Sequence, residues 1–377
     1  MKILFWSEKF WPFIGGAETF GMHLIAEMRD RGHDVIVVTS TDDLTELPDE
    51  ETYNNVPIYR FPFQRALLGK NIEEIVACQR RVARLKQTFQ PDLIHLNGIS
   101  ASTLFHLQTP TSLSVPVVVR MNQDIFSSEG ARNNTLMNTV LKTASWVVSV
   151  SQDLHHQVCR WLPEAASRSS VIYTGVPKPY PDPTPLSFEA PTLSCLGRLV
   201  SAKGFDLAVA AFTIIRQQFP DIRMMIGGDG PDRSELVELV GKYRLEDAVD
   251  FLGWIKPSDA FQFLSSATIV LIPSRYEGLP QVAIQAAMMA RPIVASRVSG
   301  LPEVVQDYET GLLINKNDVQ GLADAVRHLL RNPDLAMQMG RAARARALRV
   351  FDWDECLEKY ENLYHRLIMD VSQRMQA

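Results

Sequence analysis

Short apolar runs alternate with helical patterns along the whole chain, and the alternation stops once and restarts. It opens with KILFW, an amphipathic stretch at 17–31, then DVIVVTS. Phe20, Leu24 and Met28 recur every fourth residue, so they share a helix face that can cover a sheet. The grammar continues through a helix at 72–89, DLIHL (92–96), PVVVRM (116–121), SWVVSV (145–150) and a helix at 152–161. Strands alternating with helices predict a parallel, doubly wound sheet. Between Pro177 and Pro191, PKPYPDPTPLSFEAP spaces its prolines too densely for either regular element and reads as a linker. The pattern then restarts with TLSCLGR (192–198), IRMMIGG (222–228), DFLG (250–253), TIVLIP (268–273), PIVAS (292–296) and GLLI (311–314), with helices between them and three after them.

Length agrees with two such blocks, because 377 residues are long for one core and a 46% hydrophobic composition can fill two. The expected organisation is α/β: a Rossmann-like domain at 1–178, a linker at 179–191, a second Rossmann-like domain at 192–350 and a terminal helical segment at 351–377. Ligands of such sheets bind beyond the carboxyl ends of the strands, in the cleft between paired domains. Function is therefore expected in the loops that follow strands.

Several classes are disfavoured. A net charge of −5 and a pI near 5.9 offer no polycationic surface for nucleic acid, so none is expected as a partner. Cys78, Cys159, Cys195 and Cys356 are scattered without CxxC spacing and read as reduced thiols of a cytoplasmic protein. MKILFWSEKF is interrupted by charge too soon for a signal peptide, and no run approaches the roughly 20 apolar residues of a membrane span. Neither IGGAET nor GGDGPD is GxGxxG with an acidic residue some way on, and no GxxxxGK[ST] occurs. No cofactor is expected, and no metal. His155 and His156 are adjacent, diverge on a helix and should face solvent; Asp352 and Asp354 form a DxD at the head of a terminal helix, where capping explains them.

Two loops carry chemistry. GRLVSAKGFDLAVAAF (197–212) places Arg198 and Lys203 just before a helix, where free backbone N–H groups and the dipole already favour anions, as a diphosphate site needs. GGDGP (227–231) follows the next strand, its glycines able to let backbone approach a flat ligand. Taken with GGAE (15–18), FLGW (251–254), PSRYEGLPQVAIQAAMMARPIVAS (273–296) and GLPEVV (300–305), these stretches resemble the group 1 glycosyltransferases, the retaining family-four enzymes of GT-B fold. The tail VFDWDECLEKYENLYHRL resembles the family's closing helices, the last of which returns to the first domain.

The resemblance implies transfer of a hexose-type sugar from a nucleoside-diphosphate sugar to an acceptor hydroxyl, with retention and without a metal. It puts Arg198 and Lys203 on the diphosphate, where cations stabilise the charge growing on the leaving group. Glu277 matches the first carboxylate of the family's ExxxxxxxE and would contact the donor sugar, with the backbone amides of Gly278, Leu279 and Pro280 facing the same ligand. Gly15 and Gly16 match the first-domain loop that approaches the donor, and Gly228 and Trp254 fall among the substrate-binding positions. Four positions depart from the family. Asn122 and Asn97 stand where histidines are common, Thr174 replaces the asparagine of NGV, and Gln285 replaces the second carboxylate, which serves the ribose. A catalytically degenerate relative that binds sugar nucleotides and a GT-B epimerase remain alternatives. For the acceptor, glycan or lipid carrier, residues 60–86 interleave Phe61, Phe63, Leu67 and Leu68 with Arg60, Arg65, Lys70, Arg80, Arg81, Arg84 and Lys86. That segment reads either as a solvated helix face or as a peripheral contact with anionic membrane.

Overall fold

The structure, a computed structural model, describes residues 1–41, 47–111, 115–123, 135–179 and 182–376. Packing divides the chain into two units, Met1–Ile172 with Cys356–Ala377, and Tyr173–Glu355.

Among the described residues, the first unit is built on eight strands: β1 (Lys2–Trp6), β2 (Asp34–Ser40), β3 (Glu50–Tyr53), β4 (Val56–Phe61), β5 (Leu93–Leu96), β6 (Val117–Met121), β7 (Trp146–Ser149) and β8 (Ser169–Val171). Their order is β3-β4-β2-β1-β5-β6-β7-β8, parallel except for β3 against β4. In β1 the four residues from Ile3 to Trp6 are all buried, as expected of a strand covered on both faces. Phe20, Leu24, Ile25 and Met28 of the helix Gly16–Asp30 supply part of that cover. Gly21 lets this helix lie close, since a Cβ there would stand 3.0 Å from the Phe5 ring. The β3–β4 hairpin turns on Asn54 and Asn55, with φ of 49° and 62°, and registers Tyr53 opposite Val56. Two consecutive left-handed residues are what a two-residue hairpin loop needs, and asparagine tolerates that region better than most.

The terminal helix Trp353–Gln376 begins in the second unit and belongs to the first from Cys356 onward. Asp352 Oδ1 accepts from the Glu355 N–H at 3.0 Å, so this aspartate caps the helix. Cys356, Leu357, Tyr360, Leu363, Tyr364 and Leu367 form its buried stripe. Tyr364 Oη meets His95 Nδ1 at 2.5 Å, and the Tyr360 and Phe20 ring centroids are 5.6 Å apart.

The second unit carries β9 (Thr192–Leu196), β10 (Arg223–Gly227), β11 (Val249–Gly253), β12 (Ile269–Ile272), β13 (Ile293–Ser296) and β14 (Gly311–Ile314), in the order β11-β10-β9-β12-β13-β14. The chain winds outward from β9 in one direction, then returns to its other side at β12. That reversal between β9 and β12 is the switch point of a doubly wound sheet, where loops diverge and leave a crevice. The proline-rich residues from 182 to 191 fall within this unit rather than between the two, as their proline density suggested; Tyr180 and Pro181 lie outside the described residues. Fixed hydrogen bonds explain the difference. Thr184 Oγ1 meets Ser265 Oγ at 2.9 Å, Arg291 donates to the Thr184 carbonyl, and Thr268 Oγ1 donates to Ser187 O at 3.0 Å.

Candidate functional site

The loops after β9 and β12 meet at the switch point of the second unit. Lys203 Nζ donates to Glu277 Oε1 at 2.6 Å, and Ser274 Oγ donates to the same oxygen at 2.8 Å. The Glu277 side chain is 8% exposed and that of Lys203 29%, so a nearly buried carboxylate holds a cation that still reaches solvent. The two loops are clamped together. Arg275 N donates to Ala202 O at 2.7 Å, Arg275 Nη1 to Ser201 O at 2.6 Å, and its Nη1 and Nη2 to the two Asp206 oxygens at 2.9 and 2.6 Å. Arg275 Nε reaches Asn317 Oδ1 at 3.0 Å, which adds the segment beyond β14.

Glycine allows this crowding. Gly204, with φ of 66°, begins the helix Phe205–Arg216, and a Cβ there would overlap the Pro273 carbonyl oxygen. Gly228, with φ of 131°, donates to Gly253 O at 2.7 Å, and a Cβ on it would overlap the Gly197 carbonyl oxygen. What Gly228 meets in the structure is therefore the neighbouring loop, whose backbone it lets approach. Arg198 is exposed on that same loop, and Trp254, 51% exposed, follows β11.

Beyond Glu277, the chain passes Gly278, Leu279 and Pro280 into the helix Gln281–Met288, with Gly300 N donating to Gly278 O at 3.2 Å. Pro280 lacks an N–H, so of the three amides expected to face a ligand only Gly278 and Leu279 can donate. Gln285 lies half-buried on this helix, eight residues after Glu277. The chemistry gathered here includes the cations Arg198, Lys203 and Arg275, the carboxylates Glu277 and Asp206, and the amino termini of the helices Phe205–Arg216 and Gln281–Met288, at the crevice of a doubly wound sheet. This arrangement suits an anionic ligand carrying hydroxyl groups. Arg275, Asp206 and Ser274 were not among the sequence candidates; an arginine just before Glu277 and an aspartate just after Gly204 were the available signals.

In the first unit, Gly15 caps the helix that Gly16 begins, with Thr19 N donating to Gly15 O at 2.9 Å. Asn97 follows β5 and is fully engaged: its Nδ2 donates to Ala17 O at 3.1 Å and to Ser7 Oγ at 3.4 Å, and Arg120 Nη1 donates to its Oδ1 at 3.1 Å. It braces the loop after β1 rather than offering a titratable ring. Asn122 lies beside Gly98, which has φ of 108°. Glu8, a further carboxylate after β1, accepts from Ser40 Oγ at 2.9 Å and Gln64 Nε2 at 2.8 Å. Burial pushes its pKa up, but hydrogen bonds from Ser100, Ser102, Ser40 and Gln64 outweigh this and hold it below the usual carboxylate range.

One expectation needs correction. His155 does not face solvent freely: it is half-buried, with Nε2 3.0 Å from Ser169 Oγ, whereas His156 is exposed. The apolar, basic segment at 60–86 divides between interior and surface. Arg60 is buried and donates to Trp11 O at 2.5 Å and to Glu51; Phe61 and Phe63 are buried; Lys86 is buried against His106 O and Thr109 O, at 3.0 and 2.7 Å. Its exposed residues include Leu68 and Ile72, 81% and 75% exposed, with Arg65, Lys70, Arg80, Arg81 and Arg84. All four cysteines are free, and no described helix is long and apolar enough to cross a membrane.

Two Rossmann-like units of this topology, with a terminal helix returning to the first, are the GT-B class of glycosyltransferase architecture. Residues 182–346 match the family described as Glycosyl transferases group 1, and residues 14–209, more than half of the chain, match Glycosyltransferase Family 4. The chain belongs to glycosyltransferase family 4. Glycogen synthase from Mycobacterium tuberculosis is 28% identical over 380 residues, which cover 94% of this chain and 92% of that one. Sucrose-phosphate synthase from Thermosynechococcus elongatus superposes with a TM-score of 0.84 at 22% identity, over 98% of this chain and 99% of that one. Anabaena HepE, solved with UDP and glucose, superposes with a TM-score of 0.78 at 21% identity, over 97% and 100%.

Proposed function

We propose that the chain is a retaining hexosyltransferase that moves a sugar from a nucleoside-diphosphate donor to an acceptor hydroxyl, without a divalent ion. The observation that carries this reading is the Lys203–Glu277 pair at the β9/β12 switch point, beside exposed Arg198 and two helix amino termini. In this scheme the diphosphate lies against Lys203, Arg198 and the start of the helix Phe205–Arg216, while Glu277 receives sugar hydroxyls. The acceptor oxygen attacks the anomeric carbon from the side the leaving group departs. The bond to the diphosphate breaks, and the departing phosphate oxygen takes the acceptor's proton. Lys203 and Arg198 stabilise the charge that collects on that phosphate, the largest electrostatic demand of the step. Paired carboxylates of the glycosidase kind are not needed. A solved fold relative that holds UDP and glucose supports a nucleotide-sugar donor.

The test is incubation with a panel of nucleoside-diphosphate sugars, with and without glycan and lipid acceptors, following nucleotide release and sugar identity. Release that needs an acceptor supports transfer. Conversion of the donor sugar with no acceptor would make the chain an epimerase, and saturable binding with neither outcome would make it a binding relative. On the acceptor side, Leu68 and Ile72 beside Arg65 and Lys70 favour an anionic lipid surface. Vesicles with phosphatidylserine should then bind the protein at low salt and release it as salt rises; absence of binding at low salt would leave a soluble acceptor.

A further inference from the structure

A second cluster of chemistry-bearing side chains belongs to the first unit, whereas the donor loops belong to the second, and the proposed reaction does not use it. His33 sits between the helix Gly16–Asp30 and β2. The terminal helix brings Glu361 and His365 against it, four residues apart and so on one helix face. His33 Nε2 is 2.8 Å from Glu361 Oε1. The His33 and His365 ring centroids are 6.0 Å apart, at an interplanar angle of 66°. One ligand atom from each of the three residues lies within 4.8 Å of the others.

Each partner is supported. Gly32, with φ of 83°, ends the preceding helix in a left-handed turn; its N–H donates to Arg29 O at 2.8 Å, and that of His33 to Met28 O at 3.0 Å. This turn fixes where the His33 ring can point. Arg31 Nη1 donates to Glu361 Oε2 at 2.5 Å, which orients the carboxylate and leaves Oε1 toward His33. Metal-ligating carboxylates are commonly held by such an outer hydrogen bond. His365 is the exposed member and can rotate to close the set.

We propose that His33, Glu361 and His365 form a binding site for a borderline divalent cation, with zinc as the representative, in which the metal fastens the terminal helix to the loop before β2. Two imidazoles and one carboxylate are a ligand set that zinc accepts, at roughly 2.0–2.2 Å per bond, with water filling the fourth position. Reaching those bond lengths draws the ligand atoms inward, and the exposed His365 can make most of that movement. The site is remote in sequence from Lys203 and Glu277, and its role is to stabilise the first unit; sugar transfer does not depend on it.

The test is zinc titration of the full-length protein, stripped with chelator, by calorimetry, with Tm followed in parallel. One equivalent should bind saturably, and Tm should rise with zinc. His365→Ala is the discriminating variant. Because exposed His365 makes no ion pair among the described residues, its loss should leave the metal-free Tm nearly unchanged while weakening zinc at least about tenfold, the scale on which even outer partners act. Glu361→Gln should weaken zinc similarly, with a lower metal-free Tm because the Arg31 pair is also lost. Stoichiometric zinc binding that survives both His365→Ala and His33→Ala would overturn the assignment, as would the absence of saturable binding by the unaltered protein. Should His33→Ala fail to fold, His365→Ala with a native circular dichroism spectrum decides alone.

Discussion

Arg275 holds Asp206 through two parallel hydrogen bonds, at 2.9 and 2.6 Å, and so joins the loop that carries Glu277 to the first turn of the helix that follows Lys203. Its remaining donors go to Ser201 O and Asn317, which makes one guanidinium the common support of three segments. Arg275→Lys keeps the charge but cannot reproduce the planar fork. It should cost about 1 kcal/mol of stability and weaken nucleotide binding as well, with Asp206→Asn costing less because the other bonds of Arg275 survive. Denaturant unfolding and nucleotide titration check this. Equal effects from the two variants would show that the Asp206 pair is the whole of the support.

Lys203 and Glu277 should behave as one unit. Lys203→Ala is expected to weaken nucleoside-diphosphate binding by roughly 1.5–3 kcal/mol and the free nucleoside far less, because the charged hydrogen bond goes to phosphate. The same substitution leaves the nearly buried Glu277 without its cation, so adding Glu277→Gln should restore part of the lost stability. Calorimetry with both ligands and a double-mutant unfolding cycle read the two effects separately. Strict additivity would mean that the pair contributes nothing as a pair.

Acid should destabilise the first unit through its buried histidines. Burial pushes His95 down to about 3, aided by Arg120, and His106 down to about 3, aided by Lys86. An unfolded histidine gains its proton near pH 6.5, so between about 6.5 and 3 the unfolded state binds protons that the folded state does not. Stability therefore falls as pH falls through that window, by up to about 1.4 kcal/mol per pH unit for each residue. Lys86 acts in another window. Burial lowers it from 10.5 to about 7, so its contribution improves as pH rises from about 7 toward 10.5. Urea unfolding at pH 7, 6 and 5 should show the acid loss, and His106→Gln should reduce the slope by about one group's share. A flat profile in the unaltered protein would count against neutral buried histidines.

Several of these relationships could not be read from the sequence, for physical reasons that differ. KILFW, DVIVV and DLIHL are legible as strands because sheets buried on both faces need continuous apolar runs, and their apolar residues are buried. The β3–β4 hairpin lacks such a run; its signal is turn chemistry, two asparagines in left-handed conformations. The pairing of Lys203 with Glu277 spans 74 residues and follows only from β9 lying beside β12, which no local pattern encodes. Arg60 and Lys86 look like surface cations in a charged segment, but their burial rests on carbonyls at Pro48, Trp11, His106 and Thr109 that the sequence does not mark as partners. The candidate positions themselves were legible because glycine and charge cluster directly after strand-like runs.

Gln285 offers the sharpest test of how the donor is held. It stands half-buried on the helix Gln281–Met288, eight residues beyond Glu277, where the family resemblance places a carboxylate for the ribose. A carboxamide has one acceptor oxygen and an NH2 that only donates, whereas a carboxylate can accept from both ribose hydroxyls. Gln285→Glu should therefore tighten nucleotide binding by about 1 kcal/mol, the difference between neutral and charge-assisted hydrogen bonds. The 2′-deoxy nucleotide should show little of this gain, because it lacks one of the two hydroxyls. Calorimetric titration of the unaltered and substituted proteins with both nucleotides gives the four affinities required. If the substitution leaves both unchanged, or improves both equally, Gln285 does not face the ribose, and its place on this helix is a matter of packing alone.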